Sequence, residues 1–152
     1  VFPILRGGGW VATAAASCLL ATTGFLAAAI SPASAQDSPN LICNNSDGLS
    51  GGDFWIVADE PIPNDKGRLY VLFDDHTGNV CAVVVGNVSE PTSMEVGLKH
   101  SSAGPAEAVW SYGTSEDYAG PVYLTSSRGI CVVATGAVLA DTARIDQANC
   151  DT

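Results

Sequence analysis

The stretch Tyr118-Ala-Gly-Pro-Val-Tyr123-Leu-Thr-Ser-Ser-Arg128-Gly-Ile-Cys131-Val-Val133 places two short apolar runs on either side of a polar turn signal. Read locally, it is a β-hairpin with strands at 121–125 and 129–133 and a tight turn at 126–128. Gly120-Pro121 marks the entry and Gly129 the turn exit, while Val122, Leu124, Ile130 and Val132 supply a buried face. Cys131 falls inside the second strand, where a disulfide would tie the hairpin to another part of the chain. The stretch is architectural and carries no chemistry of its own.

The chain on either side repeats the same kind of signal. Residues 54–58 are dense in β-formers and read as a strand that stops before Asp59-Glu60-Pro61-Ile62-Pro63. A strand at 68–74 follows, then a hairpin loop, Asp75-His76-Thr77-Gly78-Asn79, then the strongly β-branched run 80–85. In 94–100, Met94, Val96 and Leu98 alternate with Glu95, Gly97 and Lys99, the pattern of a half-buried strand. Residues 106–112 make a further strand and 113–118 a polar loop. The segment 136–149 fits either a helical face or a last strand, and 41–43 either a short strand or a disulfide-tethered arm. About seven short strands with turn signals between them, and no long helix, indicate an all-β antiparallel sandwich or small closed barrel.

The front of the chain has the order of an export signal. Arg6 precedes an apolar, Ala-rich run at 10–30, and Ser31-Pro32-Ala33-Ser34-Ala35 places small residues where a signal peptidase needs them. Cleavage is expected after Ala35, which also removes Cys18. The run is long enough to span a bilayer, so a retained anchor is the competing reading. Residues 36–42 read as a mobile polar leader and 43–152 as one disulfide-bonded β domain.

The whole chain carries 6 Lys and Arg against 16 Asp and Glu. Loss of Arg6 with all sixteen acids retained gives the mature domain a net charge of −11. Nucleic acid and anionic membrane are therefore not expected partners, because phosphate neutralisation needs clustered cations. Cys43, Cys81, Cys131 and Cys150 remain after cleavage, an even number with no Cys-x-x-Cys pair, which points to two structural disulfides rather than zinc or redox chemistry. Of three possible connectivities, Cys43 with Cys81 and Cys131 with Cys150 is favoured, since each pair would anchor an irregular terminal segment to an adjacent strand.

No nucleophile elbow, His-Glu-x-x-His or glycine-rich phosphate loop is present, so an enzyme is not expected and no cofactor is implied. His76 and His100 read as loop or strand-end residues with nothing local to orient either ring. Asp74 and Asp75 with Thr77 and Asn79 read as a solvated acidic turn rather than a metal site, as do Asp47, Asp53, Asp59, Glu60 and the pair Glu116-Asp117. The remaining candidates are aromatic. Trp110, Tyr112, Tyr118 and Tyr123 would stack on sugar rings if they shared an exposed face, as in a carbohydrate or cell-wall binding module. Trp55 and Trp110, in apolar strands, are expected in the core, and Tyr112 and Tyr118, beside a polar loop, at the surface.

Several stretches resemble the spore-associated protein A family of secreted actinobacterial proteins. They are Val71-Leu72-Phe73, Thr77-Gly78-Asn79-Val80-Cys81-Ala82-Val83-Val84, Tyr118-Ala-Gly-Pro-Val-Tyr123 and Gly129-Ile-Cys-Val132, with Cys43 upstream and Cys150 near the end. The resemblance covers most of 43–150 and departs from the family pattern at Ala134-Thr135-Gly136. It implies export, a small disulfide-bonded β domain and association with the cell or spore surface, with a surface polymer as partner. It carries over no catalytic residues.

Overall fold

The computed structural model describes residues 38–45 and 52–151; the expected signal peptide at 1–35 and its cleavage site lie outside the described residues. Eight strands form two four-stranded antiparallel sheets, one more strand than the sequence suggested. The first sheet holds β1 (Trp55–Ile62), β2 (Gly67–Asp74), β3 (Asn79–Gly86) and β6 (Tyr118–Leu124), in that spatial order. The second holds β4 (Thr92–His100), β5 (Val109–Ser115), β7 (Val132–Val138) and β8 (Asp141–Ala148), in the spatial order β5-β4-β7-β8. Strand β4 leaves the first sheet, β5 pairs with it, and β6 returns to pair with β3, which is a Greek-key path. Strand β5 runs beside β6 and β1 beside β8, so the two sheets adjoin at both edges.

The facing sides of the sheets enclose the main core. Leu69, Val71 and Phe73 of β2 and Val80, Ala82 and Val84 of β3 meet Met94, Val96 and Leu98 of β4 and the inward residues of β7 and β8. The alternation read in β4 holds at Glu95, which is exposed between buried Met94 and Val96, but Gly97 is buried like Val96 and Leu98, and Lys99 is half-buried. At Gly136 the sheets approach closely: a Cβ there would collide with Val84 and press on Leu69.

Strand β3 is buried along its whole length, which explains why its sequence lacks alternation. Its outward side, Cys81, Val83 and Val85, lies under a second apolar cluster with Leu72, Phe54, Ile42 and Cys43. The cover is a short helix, α1 (Pro39–Asn45), where a strand or a tethered arm was expected and where Pro39 and Asn40 were read as leader. Helix α1 is held by the Cys43–Cys81 disulfide, with Cα atoms 6.2 Å apart. Asn40 Nδ2 also donates to the Phe54 carbonyl (2.7 Å), and Asn44 Oδ1 accepts from the Phe54 amide (3.1 Å). Both backbone polar groups of a buried residue are thereby satisfied by the helix.

The stretch at 118–133 is not a hairpin. Its first half is β6, paired with β3, and its second half opens β7, which sits between β4 and β8 in the other sheet. Residues 125–131 are a crossover between sheets, and Cys131 precedes the strand. A polar turn between two apolar runs looks the same in either case; what holds this one is a set of long-range bonds. Ser127 N donates to Gly78 O (2.7 Å), and Asn149 Nδ2 donates to Ser127 O (2.6 Å) and Ile130 O (3.2 Å). The Cys131–Cys150 disulfide closes the same corner.

Three further expectations shift. Strand β1 runs through Asp59-Glu60-Pro61 to Ile62, because it is an edge strand where proline costs no ladder bond. The same tolerance applies to Pro121 in edge strand β6, whose Gly120-Pro121 peptide is cis. The strand placed at 106–112 is β5 and starts at Val109, after a 3-10 turn at Pro105–Glu107. The ambiguous segment 136–149 is the β7–β8 hairpin, with Leu139 at positive φ (58°) in its two-residue turn. Among the described residues, no helix is long and apolar enough to cross a membrane.

Candidate ligand-binding face

Among the described residues, the outer side of the second sheet has no cover equivalent to α1. Since Met94, Val96 and Leu98 of β4 point inward, Glu95, Gly97 and Lys99 point out. In the register of the sheet, Gly97 stands opposite Trp110 of β5 on one side and Thr135 of β7 on the other, and Thr135 stands opposite Arg144 of β8. Trp110, Gly97, Thr135 and Arg144 thus form one row across all four strands. The adjacent row is Tyr112, Glu95, Ala137 and Thr142.

Gly97 shapes this surface. A Cβ on it would lie 2.6 Å from Trp110 Cε3 and Cζ3, so the indole ring lies flat over the glycine backbone. Trp110 is nevertheless 48% exposed, and Tyr112, two residues along on the same face, is 81% exposed. Beside the indole, a cleft of about 350 Å³ is lined by Lys99, Pro105, Trp110, Val133, Thr135 and Arg144, among others. Arg144 pairs with Asp146 through Nε (2.9 Å) and Nη2 (2.8 Å), and Lys99 Nζ donates to Ala103 O (2.6 Å). These contacts fix both cations at the rim. The result is a flat aromatic face, a backbone floor and a polar rim, the make-up of a surface that takes a ring with one apolar side and hydroxyls at its edge.

Of the four aromatic candidates, Trp110 and Tyr112 come together on this face. Trp110 is half-exposed on an edge strand instead of buried, and Trp55, on edge strand β1, is likewise 46% exposed while its ring packs edge-on against Phe73 (6.3 Å). Tyr118 and Tyr123 belong to the other sheet. Tyr123 donates its hydroxyl to Cys43 O (2.7 Å) and packs near Phe54 (5.8 Å), fastening α1; Tyr118, half-buried, packs against the same cluster. Sequence reasoning missed Thr135 and Arg144, because nothing local shows that β7 lies beside β4. It singled out no role for Gly97, although a lone glycine within a strand is itself a sign of close approach.

The histidines and acids fall elsewhere. His76 is exposed, with Nδ1 3.2 Å from Asp75 Oδ1. His100 Nε2 lies 2.8 Å from Ser127 Oγ, but Ser127 is fully buried and its hydroxyl also donates to Thr125 O (3.2 Å), so the contact belongs to the pinned crossover. Asp74, Asp75 and His76 converge at the β2–β3 turn. There the buried Asp74 accepts from Thr77 Oγ1 (2.6 Å) and from the His76 amide (2.9 Å), which locks the turn. Burial pushes the Asp74 carboxyl up, but bonds from the Thr77 hydroxyl and from the His76, Thr77 and Asp53 amides outweigh it and set its pKa below the ordinary value. Asp53, Asp59, Glu60 and Glu116-Asp117 do not join this cluster, Asp59 being paired with Arg68; Asp47 lies outside the described residues.

The fold and this face define a class: a two-disulfide Greek-key sandwich in which, among the described residues, one outer face is covered and one is open. No protein-family model, curated protein or solved structure matches the chain.

Proposed function

We propose that this protein is a non-enzymatic, exported binding module whose second sheet docks a glycan of the cell wall or spore surface. The observation that carries the reading is the Trp110 ring, laid flat over Gly97 and left half-exposed on an open sheet face beside Tyr112. Export is supported by the leader-like sequence at 1–35 and by the two disulfides, which persist in oxidising surroundings. The surface location follows from the resemblance to the spore-associated protein A family. The test is sedimentation of residues 36–152 with insoluble peptidoglycan, chitin and cellulose, beside Trp110→Ala and Tyr112→Ala. Saturable binding to one polymer, lost in Trp110→Ala with the melting temperature preserved, is the expected result. Equal sedimentation of wild type and both variants, or of none with any polymer, refutes it.

A further inference from the structure

The charge of the cleft runs against the charge of the domain. From residue 36 onward the chain has five cations and sixteen acids, and two of those five, Lys99 and Arg144, line this cleft; no acid is in its lining, and Asp146, paired with Arg144, stands just outside it. Resting on the glycan-binding reading, we infer that the cleft takes a pyranose bearing a carboxylate. The sugar ring stacks on the indole of Trp110, and its carboxylate lies toward Arg144 and Lys99.

The geometry fits this division of labour. Trp110 and Arg144 stand on opposite edge strands of the sheet, about 14 Å apart at the backbone from three strand spacings. The indole reaches inward over Gly97, so the platform and the cation flank one depression. Asp146 engages Nε and Nη2 of Arg144, leaving Nη1 for a ligand. Asp146 orients the guanidinium but also offsets its charge, so the carboxylate must approach from the Nη1 side, away from Asp146, with Lys99 supplying the unpaired positive charge. Lys99 Nζ donates to Ala103 O (2.6 Å) and, at 3.4 Å, to His100 O, which leaves one of its three donors for a ligand in the cleft it lines with Val133 and Thr135. Thr135, between the aromatic and the cation, offers a hydroxyl to the sugar edge. Glu95 is confined to the neighbouring row beside Tyr112, where it would repel an acidic sugar placed one position along and so fixes which side of Trp110 the carboxylate occupies.

The experiment is calorimetric titration of residues 36–152 with three soluble probes: tri-N-acetylchitotriose, which is neutral, trigalacturonate, and the peptide-free tetrasaccharide of alternating N-acetylglucosamine and N-acetylmuramic acid. One or both acidic probes should bind about tenfold more tightly than the neutral one, the worth of a single charge-assisted contact. The acidic probe that binds tells a uronic acid from a muramic acid. The preference should vanish in Arg144→Gln, weaken in Lys99→Gln, and fall at about 0.5 M salt, where screening is strong. Both substitutions are at the rim, and unchanged melting temperatures separate lost recognition from lost fold. Binding of the neutral probe as tightly as the acidic ones, with Trp110 still required, overturns this inference and leaves the glycan-binding reading intact. An acidic preference that survives both substitutions overturns the assignment to this cleft. Failure of all three probes and of the insoluble polymers overturns both.

Discussion

Gly97→Ala separates the proposed binding surface from the fold with one methyl group. The added Cβ would sit 2.6 Å from two carbons of the Trp110 ring and 2.7 Å from a third. Carbon atoms pack at about 3.5–4.0 Å, so the ring must retreat by about 1 Å. Trp110 is half-exposed, and the retreat is into solvent rather than into the core. The backbone at Gly97 has no positive φ, so alanine is accepted there. Alanine also narrows the unfolded ensemble, a gain of about 0.4–1 kcal/mol that offsets the lost contact of ring on backbone. Net stability should therefore change by less than about 1 kcal/mol. Binding should suffer more, because a tilted indole no longer presents its face in line with Thr135 and Arg144. A nucleobase stacked on an aromatic side chain is worth about 1–3 kcal/mol, and on the same scale for a sugar ring the affinity should fall about 5- to 150-fold. Denaturant unfolding gives the first quantity; glycan titration followed by tryptophan fluorescence gives the second. Undiminished binding by Gly97→Ala would refute the idea that this glycine positions the platform.

Three further outcomes follow from the rest of the structure. Because the folded pKa of Asp74 lies below its ordinary value of 3.8, its contribution to stability is fully present above that value and is lost as pH falls through the lower, folded pKa. Asp74→Asn should cost about 1–3 kcal/mol at neutral pH and flatten the acid limb of a stability-against-pH curve measured by urea unfolding. Replacing Cys43 and Cys81 by serine, which opens a link across 38 residues, should cost about 4 kcal/mol, against about 3 kcal/mol for the 19-residue link of Cys131 and Cys150, measured in matched denaturant curves. Tyr123→Phe removes the hydroxyl that bonds Cys43 O and should cost about 1 kcal/mol of stability while leaving glycan sedimentation unchanged, which distinguishes its fastening role from that of Trp110.

The strands legible in the sequence are those whose environment is simple. Strand β4 alternates because one side faces the core and the other faces water, and β3 runs continuously apolar because both sides are covered. The misreadings arise where a local signal has two tertiary meanings. Proline at 61 suggests an end to a strand, yet costs nothing on the edge strand β1. Ser126-Ser127-Arg128 suggests a hairpin, yet here carries the chain from one sheet to the other, a choice made by Ser127, Asn149 and the Cys131–Cys150 link at long range. The β7–β8 turn was hidden because Leu139 holds a positive φ that glycine or asparagine usually signals. The site was half legible for the same reason: Trp110 and Tyr112 share a strand, whereas their neighbours Thr135 and Arg144 arrive through the non-sequential order β4-β7-β8.

The two outer faces bear on why exposed rings remain in a domain of this size. The first sheet presents Cys81, Val83 and Val85 outward, a strip too apolar to leave in water, and α1 is fixed over it by a disulfide, two Asn side chains and the Tyr123 hydroxyl. The second sheet presents mostly Glu95, Gly97, Lys99, Thr135, Thr142 and Arg144, with Val133 and Ala137 of β7 the buried apolar residues between them, and so needs less cover. On such a face Trp110 and Tyr112 are not required to seal a core, and leaving a large aromatic side chain exposed forgoes about 1.5–3 kcal/mol of burial. Gly97 compounds this, since glycine within a strand weakens it and packs nothing itself. Trp110 laid across Gly97 restores part of the strand stability that glycine gives up, as an aromatic beside a strand glycine does, and its outer face is still half-exposed. It makes a flat place on which another flat, partly apolar ring can lie.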